Sequence, residues 1–376
     1  MPKIPSTFCP AKWDDLHLNF NFNYAYGCCK ATPIVFVDNW TDQLNKQKEN
    51  LLNNIQDSSC NYCWKVENTG GSSDRIELLK RFDQSKIELY QTNQVKPTNI
   101  EVNLGNECNF QCTYCNPKFS SQWESDIKQQ PYKFKTDIRH YGVSKKIANN
   151  MPANLDFLKT YDQINVLNLI GGEPLKNKRF FQLLAEVDNV DNLHITTNFS
   201  CNREMIDKII EMSKKYKSLV VCISVDATGE IAEFTRYGMN YAVWLSNVEY
   251  LIANMTNNMK IIFQSLITTL TIVDLANTTA LIEKLHSSGR DITWRLSYCV
   301  TPRIQSFATL ENDVKLMYIN LLTPFMNKVY VKNAAAIINA IQSAEFDPAL
   351  RNELDYFVQE FSERKHLRIP KEYAKN

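Results

Sequence analysis

The chain has 376 residues, long for a single domain, and its 44% hydrophobic and 22% charged residues match an ordinary folded globular protein. Lys and Arg number 42 against 41 Asp and Glu, so the net charge of +1 excludes a bulk field as the means of gripping nucleic acid or an anionic membrane. No apolar run reaches the roughly 18 residues of a membrane span, and Met1-Pro2-Lys3-Ile4-Pro5-Ser6 lacks the apolar core of a secretory signal. The expectation is a cytoplasmic protein whose eleven cysteines are ligands or core residues rather than disulfides.

In chain order, residues 1–95 form a Cys-rich region. Its one alternating stretch, Leu18-Asn19-Phe20-Asn21-Phe22-Asn23-Tyr24, predicts a strand with one apolar face, and Gly27 predicts a turn just before Cys28-Cys29. From about residue 98 strands alternate with helices. The strands are expected at Asn99–Leu104, Ile164–Ile170, Leu193–Thr197, Leu219–Val225, Lys260–Thr268 and Ile292–Tyr298. Helices are expected at Lys178–Val187, Asn202–Lys215, Tyr241–Met255 and Val273–Ser287. This alternation implies an α/β fold with a parallel sheet and right-handed crossovers. Six units suggest a partial (βα)6 barrel of the TIM type, with an open Rossmann-type sheet as its rival. Residues 306–376 read as a helical C-terminal extension, with Ala334–Ile341 and Leu350–Phe361 amphipathic. The domains expected are thus 1–95, 96–305 and 306–376. The connection 118–163 is long for a βα unit and reads either as a substrate lid or as an added outer helix.

Cys108, Cys112 and Cys115 follow the first barrel strand, at the end where parallel α/β barrels carry their catalytic loops. Three thiolates within eight residues leave one iron of a four-iron cluster open, as a catalytic site requires. The spacing also leaves open a zinc knuckle or buried thiols, although zinc favours C-x2-C pairs with a fourth ligand.

The run Cys108-x3-Cys112-x-Tyr114-Cys115 resembles the signature of the radical S-adenosylmethionine superfamily. Further segments agree in order: Gly171-Gly172-Glu173-Pro174 after the second strand, Thr197-Asn198 after the third, and Ser224-Val225-Asp226 after the fourth. Glu233-Phe-Thr-Arg236-Tyr-Gly238 follows. The resemblance implies that Cys108, Cys112 and Cys115 hold a 4Fe-4S cluster. It further implies that Tyr114, Gly171, Gly172, Glu173, Pro174, Asn198, Ser224, Asp226 and Arg236 surround S-adenosylmethionine, with Arg236 on its carboxylate. The implied activity is reductive cleavage of S-adenosylmethionine to a 5′-deoxyadenosyl radical, fed by an electron donor such as flavodoxin or ferredoxin.

The N-terminal cysteines resemble the auxiliary-cluster modules called SPASM and twitch domains, through Cys9, Gly27-Cys28-Cys29, Cys60-x2-Cys63-Trp64 and Gly70-Gly71-Ser72-Ser73. That implies a second iron–sulfur cluster on Cys9, Cys28, Cys60 and Cys63, with Cys29 spare, and a peptide or protein substrate. From spacing alone zinc is the expected metal there. The rival function is a non-catalytic zinc-binding module for protein or nucleic-acid contacts.

Overall fold

The computed structural model describes residues 3–35, 40–92, 95–133, 136–137, 140–141, 158–159 and 161–373. Its strands are β1 (Asp15–Asn19), β2 (Tyr24–Tyr26), β3 (Ile34–Val35), β4 (Asn99–Asn103), β5 (Gln111–Cys112), β6 (Ile164–Ile170), β7 (Val190–Thr197), β8 (Ser218–Ser224), β9 (Arg236–Tyr237), β10 (Met259–Ile267), β11 (Ile292–Tyr298) and β12 (Val331–Lys332). The fold is mixed α/β with parallel strands, as expected of a partial barrel, and each of the six expected barrel strands is present. Two compact units divide the chain: residues 1–105, 145–171 and 178–194 in the first, and residues 106–144, 172–177 and 195–376 in the second.

In the first unit β4 lies between β6 and β1, both parallel to it. β1 then turns into the antiparallel strands β2 and β3. The N-terminal region therefore extends the same sheet as β4, and the compact units do not part at residue 95. The stretch expected as one strand, Leu18–Tyr24, is instead a hairpin. Asn19 Oδ1 accepts from the amides of Asn21 (3.0 Å) and Phe22 (3.1 Å), and Asn23 adopts φ +59°. An Asn side chain that bonds its own backbone competes with the ladder, and Asn tolerates the left-handed region. Alternation of Asn with aromatics thus marked a turn as well as a strand. Phe8, Trp13, Trp64 and Tyr90 form the apolar centre beside Cys9.

In the second unit β8, β10, β11 and β12 are parallel neighbours in that order. The expected helices form at Arg203–Ser213, Tyr241–Asn254 and Leu275–His286, the first two capped by Asn202 and Asn240. Arg179–Glu186, in the first unit, is the fourth. β12 was not expected, because two residues carry no readable period within a helical region. The segment after Phe119 forms a helix, Ser121–Gln129, while 142–157 lie outside the described residues. The last long helix, Pro348–Lys365, starts at Asp347 with Pro at its first position. It buries Leu354, Phe357 and Phe361 against Trp123, Tyr141 and Phe234, and Cys115 packs on the same cluster. No helix among the described residues is long and apolar enough to cross a membrane.

Candidate active site

The cysteine loop lies in the second unit. Cys108 is fixed through its amide to Ser121 Oγ (3.1 Å), while Ser121 Oγ donates back to the Cys108 carbonyl (3.2 Å). Cys112 lies in β5, which pairs antiparallel with β9 so that Cys112 faces Arg236. Cys115 closes a turn, its amide donating to the Cys112 carbonyl (2.9 Å). Burial and then the neighbouring Cys112 push the Cys108 thiol up to about 12. Burial likewise raises Cys112. It raises Cys115 too, with Cys112 and Cys108 adding to the effect. Arg236 is the cation that opposes the shift at all three. Buried thiolates that repel one another are stable only with positive charge among them, so this donor set suits a metal cluster better than free thiols. Among the described residues no three His, Cys, Asp or Glu side chains are grouped to hold a single metal ion.

Beside the cysteines stands a buried polar network. Arg236 Nη1 donates to Asp226 Oδ2 (2.7 Å) and to the Tyr114 hydroxyl (2.5 Å), and that hydroxyl donates to Asp226 Oδ2 (2.5 Å). Asp226 Oδ1 accepts from the Leu266 amide (2.8 Å). Arg236 Nε is buried without a hydrogen-bond partner. An orphan donor on a buried guanidinium is costly unless an acceptor occupies the site. The carboxylate of an amino acid is such an acceptor. The sequence named Tyr114, Asp226 and Arg236 as separate contacts, and in the fold they form one unit.

Glu173 is committed within the protein. It accepts from Thr197 Oγ1 (2.6 Å), the Asn198 amide (2.6 Å) and the Leu175 amide (3.1 Å), and burial still pushes its carboxyl up. It therefore ties the Gly-Gly-Glu-Pro turn to the end of β7. Pro174 opens a single helical turn after it. Asn198 Nδ2 donates to Asn109 Oδ1 (2.9 Å), which joins the β7 end to the cysteine loop. Thr197 was marked in the sequence with Asn198, whereas Asn109 and Leu266 had no sequence signal of their own. Ser224 is the last residue of β8.

The two glycines differ. Gly171, in the first unit, has φ +150° and packs beside the Gly105 carbonyl, where a Cβ would stand 2.9 Å from that oxygen. Gly172 lies against the cysteine loop, where a Cβ would strike the Glu107 carbonyl and stand 2.8 Å from Asn106 C and O. Backbone cannot swing aside as a side chain can. Gly172→Ala is expected to cost about 1–3 kcal/mol, read as a lowered urea midpoint, with a matching loss of bound iron.

On β11 Trp294 and Leu296 are buried, whereas Tyr298 on the same face is exposed. Arg295 is exposed, and Cys299 is buried with its thiol near the Pro302 carbonyl (3.6 Å). Cys201 is half-buried, and burial lifts its thiol to about 12.

In the first unit, Cys9 precedes the short helix Ala11–Asp14, and Cys60 and Cys63 flank the start of the helix Asn61–Asn68. Arg75 links these segments. It donates to the Ser6 (2.9 Å) and Phe8 (3.0 Å) carbonyls and pairs in two bonds with Glu67 (3.0 and 2.6 Å). Burial and then Cys28 push the Cys9 thiol up to about 12, with Cys60 and Cys63 contributing. Cys63 is raised by burial, with Cys28 and Cys60 adding to the effect. Cys29 is exposed, and its thiol is lowered through a hydrogen bond with Cys28, which is raised by the same bond.

A three-cysteine loop at the end of a parallel strand, backed by a buried Tyr–Asp–Arg network, defines the radical S-adenosylmethionine class of enzyme domain. Residues 102–282 match the family model described as the Radical SAM superfamily. A curated relative, GTP 3′,8-cyclase of Staphylococcus haemolyticus (strain JCSC1435), is 29% identical over 106 residues, which is 26% of this chain and 26% of that protein. The chain thus matches about a quarter of that relative's length. Similar solved structures include SuiB of Streptococcus suis bound to S-adenosylmethionine. It is 12% identical, with 83% of this chain and 67% of that one covered and a TM-score of 0.39. SuiB bound to its precursor peptide SuiA is 13% identical, with 94% and 70% covered and a TM-score of 0.34.

Proposed function

We propose that the chain is a radical S-adenosylmethionine enzyme whose cluster is held by Cys108, Cys112 and Cys115. The observation that carries this reading is the convergence of the Cys108–Cys115 loop, with Cys112 paired in register with Arg236, and the buried Tyr114–Asp226–Arg236 network in one unit. When bound there, a reduced four-iron cluster supplies one electron to S-adenosylmethionine, giving methionine and a 5′-deoxyadenosyl radical that takes hydrogen from the substrate. The protein's own part is to hold and orient. Arg236, with Nε unpartnered, receives the carboxylate of the methionine moiety. Gly172 admits no Cβ, so the turn lies directly on the cysteine loop. Glu173 acts indirectly, by fixing Asn198 and the turn.

Anaerobic purification, assay of iron and sulfide, and addition of reductant with S-adenosylmethionine test the reading. The expected products are methionine and 5′-deoxyadenosine. Zinc without sulfide, or a reconstituted protein that forms no 5′-deoxyadenosine, overturns it. Flavodoxin or ferredoxin is the proposed electron donor and a reducing cytoplasm the proposed setting.

Cys9, Cys28, Cys60 and Cys63 are proposed to hold a second iron–sulfur cluster. What supports this set is that Cys28, Cys60 and Cys63 all act on the buried Cys9 thiol, whereas Cys29 is exposed. Cys60→Ala and Cys63→Ala are expected to remove part of the iron and leave 5′-deoxyadenosine formation in place. Cys29→Ala is expected to keep the full iron content. A peptide or protein is the proposed substrate class, on the resemblance of residues 1–95 to the SPASM and twitch modules.

A further inference from the structure

The backbone of the cysteine loop is held by side chains from outside it. Four consecutive carbonyls, Cys112 to Cys115, each accept a hydrogen bond. Trp123 Nε1 donates to Cys112 O (2.8 Å). The Tyr141 hydroxyl (2.8 Å) and Gln305 Nε2 (2.7 Å) both donate to Thr113 O. His140 Nε2 lies 3.0 Å from Tyr114 O and 3.2 Å from Cys115 O, and with no acceptor but carbonyls it must carry the proton. Trp123 and Gln305 are fully buried, and Thr113 Oγ1 donates to Gln305 Oε1 (3.1 Å). The donors come from three places in the second unit: the helix Ser121–Gln129, residues 140–141 and the turn Arg303–Gln305.

Such an arrangement exceeds what folding a short loop requires. A buried carbonyl needs one partner, and turns usually find theirs locally or in water. Here a loop carrying three thiolates has every carbonyl of its second half turned to a donor outside the loop. A carbonyl oxygen so held cannot rotate toward an anionic cluster. Cluster potentials respond to the dipoles and hydrogen bonds around the sulfurs.

We propose that Trp123, His140, Tyr141 and Gln305 are positioning residues that fix the Cys112–Cys115 peptides and thereby set the reduction potential and the retention of the cluster. This rests on the reading that Cys108, Cys112 and Cys115 bind an iron–sulfur cluster. Loss of the His140 donor releases the Tyr114 and Cys115 carbonyls to turn inward, whereas Cys112 O keeps the Cys115 amide and Thr113 O keeps a second side-chain donor. Negative potential beside the cluster then grows, and the more negative reduced state becomes harder to reach.

The test uses the full-length, anaerobically reconstituted protein and the variants His140→Ala, His140→Gln and Tyr141→Phe. The midpoint potential is read by redox titration followed by electron paramagnetic resonance, and cluster retention by the rate of iron transfer to a chelator. His140→Ala is expected to shift the potential downward and to speed iron release about tenfold, the scale of one net hydrogen bond. His140→Gln, which keeps a donor amide, is expected to restore most of both. Tyr141→Phe leaves Gln305 on the same carbonyl and is expected to shift the potential less. Should the variants lose stability while every potential equals that of the unaltered protein, the residues only support the fold and the proposal fails. An unaltered protein that takes up no iron and sulfide overturns the underlying reading, and this one with it. An unaltered protein with a full cluster, beside variants that match it, overturns this proposal alone.

Discussion

Cys112→Ala protein, reconstituted with iron and sulfide, is expected to lose 5′-deoxyadenosine formation by at least about 10³-fold, the scale seen when one member of a catalytic group that acts as a unit is removed. Cys112 is the sharpest of the three positions to change. It is buried, it is paired in register with Arg236, and its charge is felt by both Cys108 and Cys115. Alanine fits the same strand position and removes only the sulfur, so far-ultraviolet circular dichroism should be unchanged while iron and sulfide fall. Cys108→Ala and Cys115→Ala are expected to match it, and pairs of these changes should be no worse than one. Additive losses across the three would mean that the thiols do not serve one cluster. Activity retained in Cys112→Ala would exclude it as a ligand.

The parts of this site that could be read from the sequence are those set by local order. Cys108, Cys112 and Cys115 lie close in the chain, and the segments that complete the site come at successive strand ends. Parallel α/β topology turns that order in sequence into neighbourhood in space. The pairing of Tyr114 with Asp226 and Arg236 could not be read, because it spans 112 and 122 residues and depends on side-chain direction. Each had been assigned to the ligand separately, whereas much of their bonding capacity is used on one another. Gln305 had no signal at all, being one polar residue in a turn 192 positions from Thr113. The hairpin at Asn19–Asn23 was misread because period-two alternation continues across it, and only the Asn side-chain bonds break the strand. β1 shares only Leu18 and Asn19 with the expected strand, and its parallel pairing with β4 could not be read, since pairing register depends on what lies next to it in the fold.

Tyr114, Asp226 and Arg236 allow stability and chemistry to be separated. Asp226→Ala is expected to leave the buried Arg236 charge without its carboxylate, at a cost of about 3–5 kcal/mol. In a unit of this size that lowers the melting temperature by about 10 °C. The triple change Tyr114→Phe, Asp226→Leu, Arg236→Met removes every polar member together, and an apolar replacement of a buried ion pair is often neutral. Melting temperature should then recover most of the loss. Affinity for S-adenosylmethionine should not, because the guanidinium with its unpartnered Nε is gone. Calorimetric titration of the reconstituted triple variant, set beside its thermal unfolding, reads the two effects independently. Recovered stability with undiminished affinity would make the network a prop of the fold alone. Recovered stability with affinity lost would show that the network meets the ligand as well as supporting the fold, as the unpartnered Arg236 Nε implies.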